Sequence, residues 1–164
     1  SNGSSFGISK VNEKDNLLKA IEKAFQLDSN VIIESFLDGI ELTCGIHNFN
    51  EQLFTFPITE IVSENEFFDY QAKYEGKSKE ITPANLSKKI ADKVSEQTKK
   101  IYQLLNLDGI ARIDFIIVNN DPVVIEANTV PGLSKESIIP QQAQSAGISL
   151  SKLFNQSVQH IFKK

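Results

Sequence analysis

Residues 109–128 read GIARIDFIIVNNDPVVIEAN, and the rest of the chain is best read outward from them. The halves 109–118 and 122–128 are apolar runs rich in β-branched residues, joined by the turn-forming Asn119-Asn120-Asp121. That pattern predicts an antiparallel hairpin. Each half also carries two polar residues at a spacing of two: Arg112 with Asp114, and Glu126 with Asn128. Residues two apart in a strand share a face. A turn centred on Asn120 places Asp114 opposite Glu126 and Arg112 opposite Asn128. Facing carboxylates repel unless something positive sits between them. Hard oxygen ligands of this kind suit Mg²⁺ or Mn²⁺. Arginine suits planar recognition of phosphate or carboxylate. The hairpin thus reads as a divalent-metal phosphate site, with a structural Arg–Asp–Glu network on a half-exposed sheet face as the alternative.

The segment after the hairpin, TVPGLSKES at 129–137, leads to a helix start. Backbone N–H groups at a helix N-terminus favour a carboxylate or phosphate, and Ser137 could add a hydroxyl donor. An ordinary Pro-Gly turn with a serine near the cap is the alternative. Further out, 14–27 carries one apolar helical face, Leu17, Leu18, Ile21, Ala24 and Phe25. Val31-Ile32-Ile33 reads as a buried strand ending at Glu34. Residues 41–48 and 53–58 form a second hairpin. Residues 63–82, polar and aromatic without a clean period, read as a long functional loop. Residues 84–105 form the longest helix, striped by Leu86, Ile90, Val94, Ile101, Leu104 and Leu105. Its lysines alternate with Asp92 and Glu96, so they read as a solvated face. Helices over 135–146 and 150–162 follow, with Gly147 between them. The fold class is α+β, with antiparallel hairpins and four helices.

The 164 residues suffice for one ordinary domain, or one domain with a small lobe. The apolar share of 40% and charged share of 23% are ordinary for a globular fold. No apolar run is long enough for a membrane-spanning helix, and no charged-then-apolar leader opens the sequence. A net charge of −4 argues against nucleic acid as the main partner. Cys44, the sole cysteine, cannot pair internally and reads as inert packing in a reducing compartment. Two distant histidines, His47 and His160, make a multi-histidine zinc site unfavourable and read as surface or edge residues. Methionine is absent, which points to a piece of a longer chain, and the one arginine against sixteen lysines is Arg112.

EANTVPGLSKES at 126–137 resembles the metal and second-substrate segment of the ATP-grasp ligases, in particular the D-alanine:D-alanine ligase family. GSSFGISKV at 3–11 resembles that family's serine loop, and ESFLDGIE at 34–41 its hinge to adenine and ribose. EFFDYQAKY at 66–74 resembles its mobile loop. The matched blocks keep family order and cover nearly the whole chain.

The resemblance implies an ATP-grasp fold, with residues 1–38 finishing a central lid subdomain and 39–164 forming the C-terminal subdomain. It implies Mg²⁺ (Mn²⁺ possible) on Asp114, Glu126 and Asn128. Glu34 would accept from the adenine amino group, Phe36 and Leu37 would give main-chain contacts, and Glu41 would hold the ribose. Lys73 would reach the γ-phosphate and Phe67 would flank the adenine. Arg112 and the Gly132 N–H would form an oxyanion hole. Ser137 and Ile138 would bind the second D-alanine's carboxylate, and Ser4 and Tyr74 would hydrogen-bond across the closed loop. Asp69 and Glu66 would order that loop.

The implied activity is ATP-dependent joining of two D-alanines through an acyl phosphate, for peptidoglycan precursors in the cytoplasm, by a homodimer. Tyr74 places the mobile loop nearer the dipeptide-forming type than the D-lactate type. Gln71 stands where glutamate is commoner, and Ile138 where leucine is commoner. The family's N-terminal domain and early central lysines are not in this sequence, so the chain by itself is expected to show negligible ligase activity. Two alternatives are an ATP-grasp carboxylate–amine ligase with another acceptor, and a nucleotide-binding module that does no chemistry.

Overall fold

A computed structural model of the protein describes residues 6–49, 52–63 and 78–162. The chain divides into two compact units, Ser1–Leu37 with Ser63–Lys79, and Asp38–Val62 with Glu80–Lys164.

In the first unit a 3₁₀ turn, Lys14–Asn16, runs into helix α1, Leu17–Phe25, close to where the apolar period places a helix. The amphipathic stripe is there but buries nothing fully: Leu18 and Phe25 are exposed. The expected strand at 31–33 does not form, and Ile32 is 82% exposed. A strand needs a ladder partner for its N–H and C=O groups, and no described strand stands beside this one. Lys10 Nζ lies 3.9 Å over the Phe36 ring, a cation–π contact that ties the two ends of this segment.

The second unit is built on one sheet. Its strands are β1 (Ile40–Phe49), β2 (Gln52–Thr55), β3 (Thr59–Ser63), β4 (Ser78–Ile81), β5 (Ile110–Val118) and β6 (Asp121–Asn128). The order is β4-β3-β1-β5-β6, with β2 also paired to β1, and the β1–β2, β1–β3, β1–β5 and β5–β6 ladders are antiparallel. The helices are α2 (Lys88–Leu104), α3 (Ile138–Ser145) and α4 (Leu150–Phe162). Strands β3 and β4 are additions to the sequence reading, and β4 occupies part of the expected 63–82 loop. They form because the sheet offers an edge to pair with, which short polar sequences do not signal.

Strict alternation decides which residues face which layer. On one face Leu42, Cys44, Ile113, Phe115 and Ile117 pack with Ile58 and with Val94 of α2, forming the main core. Cys44 is wholly buried, and burial pushes its thiol up to about 12, so the inert reading holds. Leu104 and Leu105, expected on the helix stripe, are exposed at the C-terminal end of α2. On the opposite face Phe56, Ile139, Ala143 and Leu153 form a second cluster under α3 and α4.

His47 corrects the surface reading. It is 0% exposed, because β1 pairs it with Phe54 on one side and Ile110 on the other, and Ser157 of α4 closes over it at 3.0 Å. His160 is partly covered as well, 2.6 Å from Asp108.

Candidate active site

The face of the sheet that α3 and α4 leave partly open carries the polar residues. The register is the one expected at the site: Arg112 opposes Asn128 and Asp114 opposes Glu126. It arises by a route the sequence reading did not contain. Asn119 and Asn120 both have positive φ, 52° and 66°, as a two-residue type I′ hairpin turn requires. Pairing from that turn joins Val118 to Asp121 and Phe115 to Val124. Continued without interruption, it would set Ile125 opposite Asp114 and turn Glu126 to the other face. An irregularity between Asp114 and Phe115 takes up one extra residue on β6. That bulge puts both carboxylates on the same face.

Asp114 is the hub. Thr43 Oγ1 donates to Oδ1 at 2.6 Å and Arg112 Nε donates to the same oxygen at 2.8 Å. Arg112 Nη2 donates to Oδ2 at 2.7 Å and Asn128 Nδ2 donates there at 2.9 Å. The guanidinium and carboxylate form a bidentate fork. Burial by itself would lower the Arg112 pKa, but the Asp114 hydrogen bonds and the charges of Asp114, Glu126 and Glu80 raise it, so it stays charged. Glu41 lies on the same face of β1 as Thr43, one pleat further along.

Gly132 and Ser137 also come together. A Cβ at Gly132 would lie 2.8 Å from the Ser137 hydroxyl, so a side chain there would displace it. Ser137 sits at the N-cap of α3 without using its hydroxyl as a cap. The hydroxyl instead pairs with Ser134 Oγ at 2.7 Å, while the Ser137 N–H donates to Ser134 O at 2.8 Å. Ile138 opens the helix beside it.

The segment with Glu34, Phe36 and Leu37 has no regular secondary structure; Glu34 and Phe36 are exposed and Leu37 half-buried. Ser4, Phe67, Lys73 and Tyr74, with Glu66, Asp69 and Gln71, lie outside the described residues. The sequence reading missed three neighbours of the site. Thr43 shares a strand face with Glu41, but only the β1–β5 pairing brings it to Asp114. Gln141 donates to Glu80 Oε2 at 2.8 Å and to Glu136 O at 2.9 Å, and only the tertiary fold brings it to Glu80.

Among the described residues no group of three or more His, Cys, Asp or Glu side chains forms a metal cluster. The donor set still fits a hard divalent cation, with two facing carboxylates and a carboxamide on one face. A carboxylate has about four acceptor positions, and Asp114 fills four with Thr43, Arg112 and Asn128. Ligation through Asp114 therefore means releasing one of those bonds.

Comparison with known proteins identifies the family. The D-ala D-ala ligase C-terminus family model matches residues 1–159. D-alanine--D-alanine ligase of Flavobacterium johnsoniae is 54% identical over 157 residues, covering 96% of this chain and 49% of that protein. The chain spans about half the length of the curated relatives it matches. Among solved structures, the Bacillus anthracis D-alanine--D-alanine ligase complexed with ATP is 33% identical, with TM-score 0.79, covering 93% of this chain and 49% of that one. VanG D-Ala:D-Ser ligase of Enterococcus faecalis is 34% identical, with TM-score 0.85, covering 96% and 46%. An antiparallel sheet with flanking helices, the Arg112–Asp114–Asn128 network opposite Glu126, and a family match over nearly every residue place this chain in the D-Ala–D-Ala ligase family, as its C-terminal part.

Proposed function

We propose that this chain supplies the C-terminal half of the active site of an ATP- and Mg²⁺-dependent ligase that joins two D-alanines for peptidoglycan precursors. The observation that carries the reading is the bulged β5–β6 hairpin, which presents Arg112, Asp114, Glu126 and Asn128 on one face. Residues 1–38 belong to the lid subdomain and 39–164 to the C-terminal subdomain in this reading. The working enzyme is a cytoplasmic homodimer.

Asp114, Glu126 and Asn128 hold Mg²⁺, which when bound neutralises charge on the phosphates of ATP. The γ-phosphoryl group moves to the carboxylate of the first D-alanine, giving an acyl phosphate. The amine of the second D-alanine attacks the acyl carbon and phosphate leaves. Arg112 is always charged and lies 22% exposed, so it can turn a donor toward the oxygen that gains charge in that attack. The Gly132 N–H supplies the second donor. Ser137 and the first amides of α3 hold the acceptor's carboxylate, with Ile138 against its side chain. Glu34, Phe36, Leu37, Glu41, Phe67 and Lys73 hold ATP, and Ser4 and Tyr74 close the mobile loop. A second reading, an acceptor other than D-alanine, is favoured by the likeness to a D-Ala:D-Ser ligase.

The test uses the full-length protein that contains these residues. Incubated with Mg²⁺-ATP and D-alanine, it should form D-alanyl-D-alanine by mass spectrometry with one phosphate released per dipeptide. Asp114→Asn or Glu126→Gln should lower that turnover at least about 10²-fold. A panel with D-serine and D-lactate decides the acceptor. Full turnover in either variant would reject the metal assignment, and no D-alanine-dependent product at all would reject the ligase reading.

A further inference from the structure

Three partners bind the Asp114 carboxylate, and they differ in how easily they can leave. Arg112 is a long side chain, 22% exposed, with several rotatable bonds. Asn128 ends its strand and its amide can turn. Thr43 is neither long nor free. It is 2% exposed, sits opposite Asp114 in the β1–β5 ladder, and is β-branched, which stiffens its first side-chain torsion. Its hydroxyl donates to Oδ1 at 2.6 Å.

The backbone beneath Thr43 is also held. Strands β2 and β3 both pair with the same side of β1 and leave a gap between them. The Gln142 carboxamide fills it: Oε1 accepts from Gly45 N at 3.0 Å, and Nε2 donates to Thr43 O at 3.0 Å and to Thr59 Oγ1 at 3.0 Å. One side-chain amide thus takes the place of one peptide unit in the ladder, and it is fully buried.

We propose that Thr43, braced through its carbonyl by Gln142, is the positioning residue of Asp114: it holds Oδ1 and so keeps Oδ2 turned toward Asn128 on β6. The proposal rests on the functional reading above only in what Asp114 is for. When Arg112 or Asn128 changes partner, Thr43 is the bond that stays. The carboxylate then keeps its rotation while its other bonds exchange, which a group that must serve both an arginine and a cation needs.

In a nitrogen–proton NMR spectrum of the arginine-labelled full-length protein that contains these residues, the Nε–Hε signal that disappears in Arg112→Lys is that of Arg112, and it reports the bond from Arg112 Nε to Asp114 Oδ1. In the metal-free full chain, Thr43→Val should move this signal and speed its exchange with water about tenfold, while Thr43→Ser keeps it near its original position. An unmoved signal in a folded Thr43→Val chain overturns the proposal. The unsubstituted chain gives a second measurement that does not depend on the variant folding. The Thr43 hydroxyl proton should be visible, slowly exchanging, and unchanged when Mg²⁺ and a non-hydrolysable ATP analogue are added. Its absence, or its loss on addition, also overturns the proposal. If the Arg112 signal ignores Mg²⁺ and nucleotide altogether, the functional reading fails for this chain, and the metal-free Thr43→Val comparison decides the positioning role by itself.

Discussion

Polar residues on an apolar strand are costly unless they are partnered, and Asp114 shows how that constraint doubles as a signal. Its four hydrogen bonds come from three different strands, β1, β5 and β6. The sequence made Arg112, Asp114, Glu126 and Asn128 legible because alternation alone sorts them onto one face. It could not show Thr43 as a partner, since that depends on which strand lies beside β5. His47 was misread for the same reason. A histidine in an apolar strand reads as an edge residue until helix α4 covers it.

Burial lowers the His47 pKa; the neighbouring His160 charge lowers it further, while the Asn48 backbone and Asp108 oppose the shift. The unfolded chain therefore takes up a proton on this residue before the folded chain does. Stability due to neutral His47 is complete above the unfolded pKa and is lost as the pH falls through it toward the folded value. The urea midpoint should fall between about pH 7.5 and about pH 5.5, and His47→Gln should fall less steeply over that interval. Equal slopes in the two proteins would show that His47 is not the titrating group.

At the level of elements, two devices set the site. The Asn119-Asn120 turn and the β6 bulge each shift the hairpin, and only their combination aligns Glu126 with Asp114. The turn was readable as turn chemistry; the bulge was not, because no residue type announces which position will be left unpaired. The second device is Gln142. With Leu in its place, the Gly45 N–H and Thr43 C=O would be buried without partners, each costing about 1–3 kcal/mol. Gln142→Leu should therefore lower the unfolding free energy by about 2–4 kcal/mol in urea titrations. A loss below about 0.5 kcal/mol would mean that water or a shifted strand satisfies both groups. Gly45 belongs to the same device: a Cβ there would meet Ile139 Cδ1 at 2.4 Å and Gln142 Oε1 at 2.6 Å.

For the whole molecule, the sheet core lies between α2 on one face and α3 with α4 on the other. Among the described residues no helix is long and apolar enough to cross a membrane. The chain spans about half the length of its curated relatives. The 164-residue chain by itself should give no D-alanyl-D-alanine above background with Mg²⁺-ATP, whereas the full-length protein should, and lose it on chelation with EDTA. Steady dipeptide formation by the isolated chain would overturn that expectation.

The sequence by itself determined the α+β class, the hairpin, the face shared by Arg112 and Asp114, and the family blocks, because each of these follows from local periodicity or from contiguous motifs. It also placed a helix near α1, but it could not foresee that the strand at 31–33 would fail to form. Only the tertiary structure decided the bulge, the burial of His47, the Thr43 bond to Asp114 and the Gln142 bridge across β1. All but the bulge join residues far apart in the chain, by up to the 110 positions between His47 and Ser157, and the bulge depends on how the hairpin is seated in the sheet. Such contacts depend on which elements become neighbours, and that is settled by packing and hydrogen-bond satisfaction across the whole sheet rather than by any short stretch.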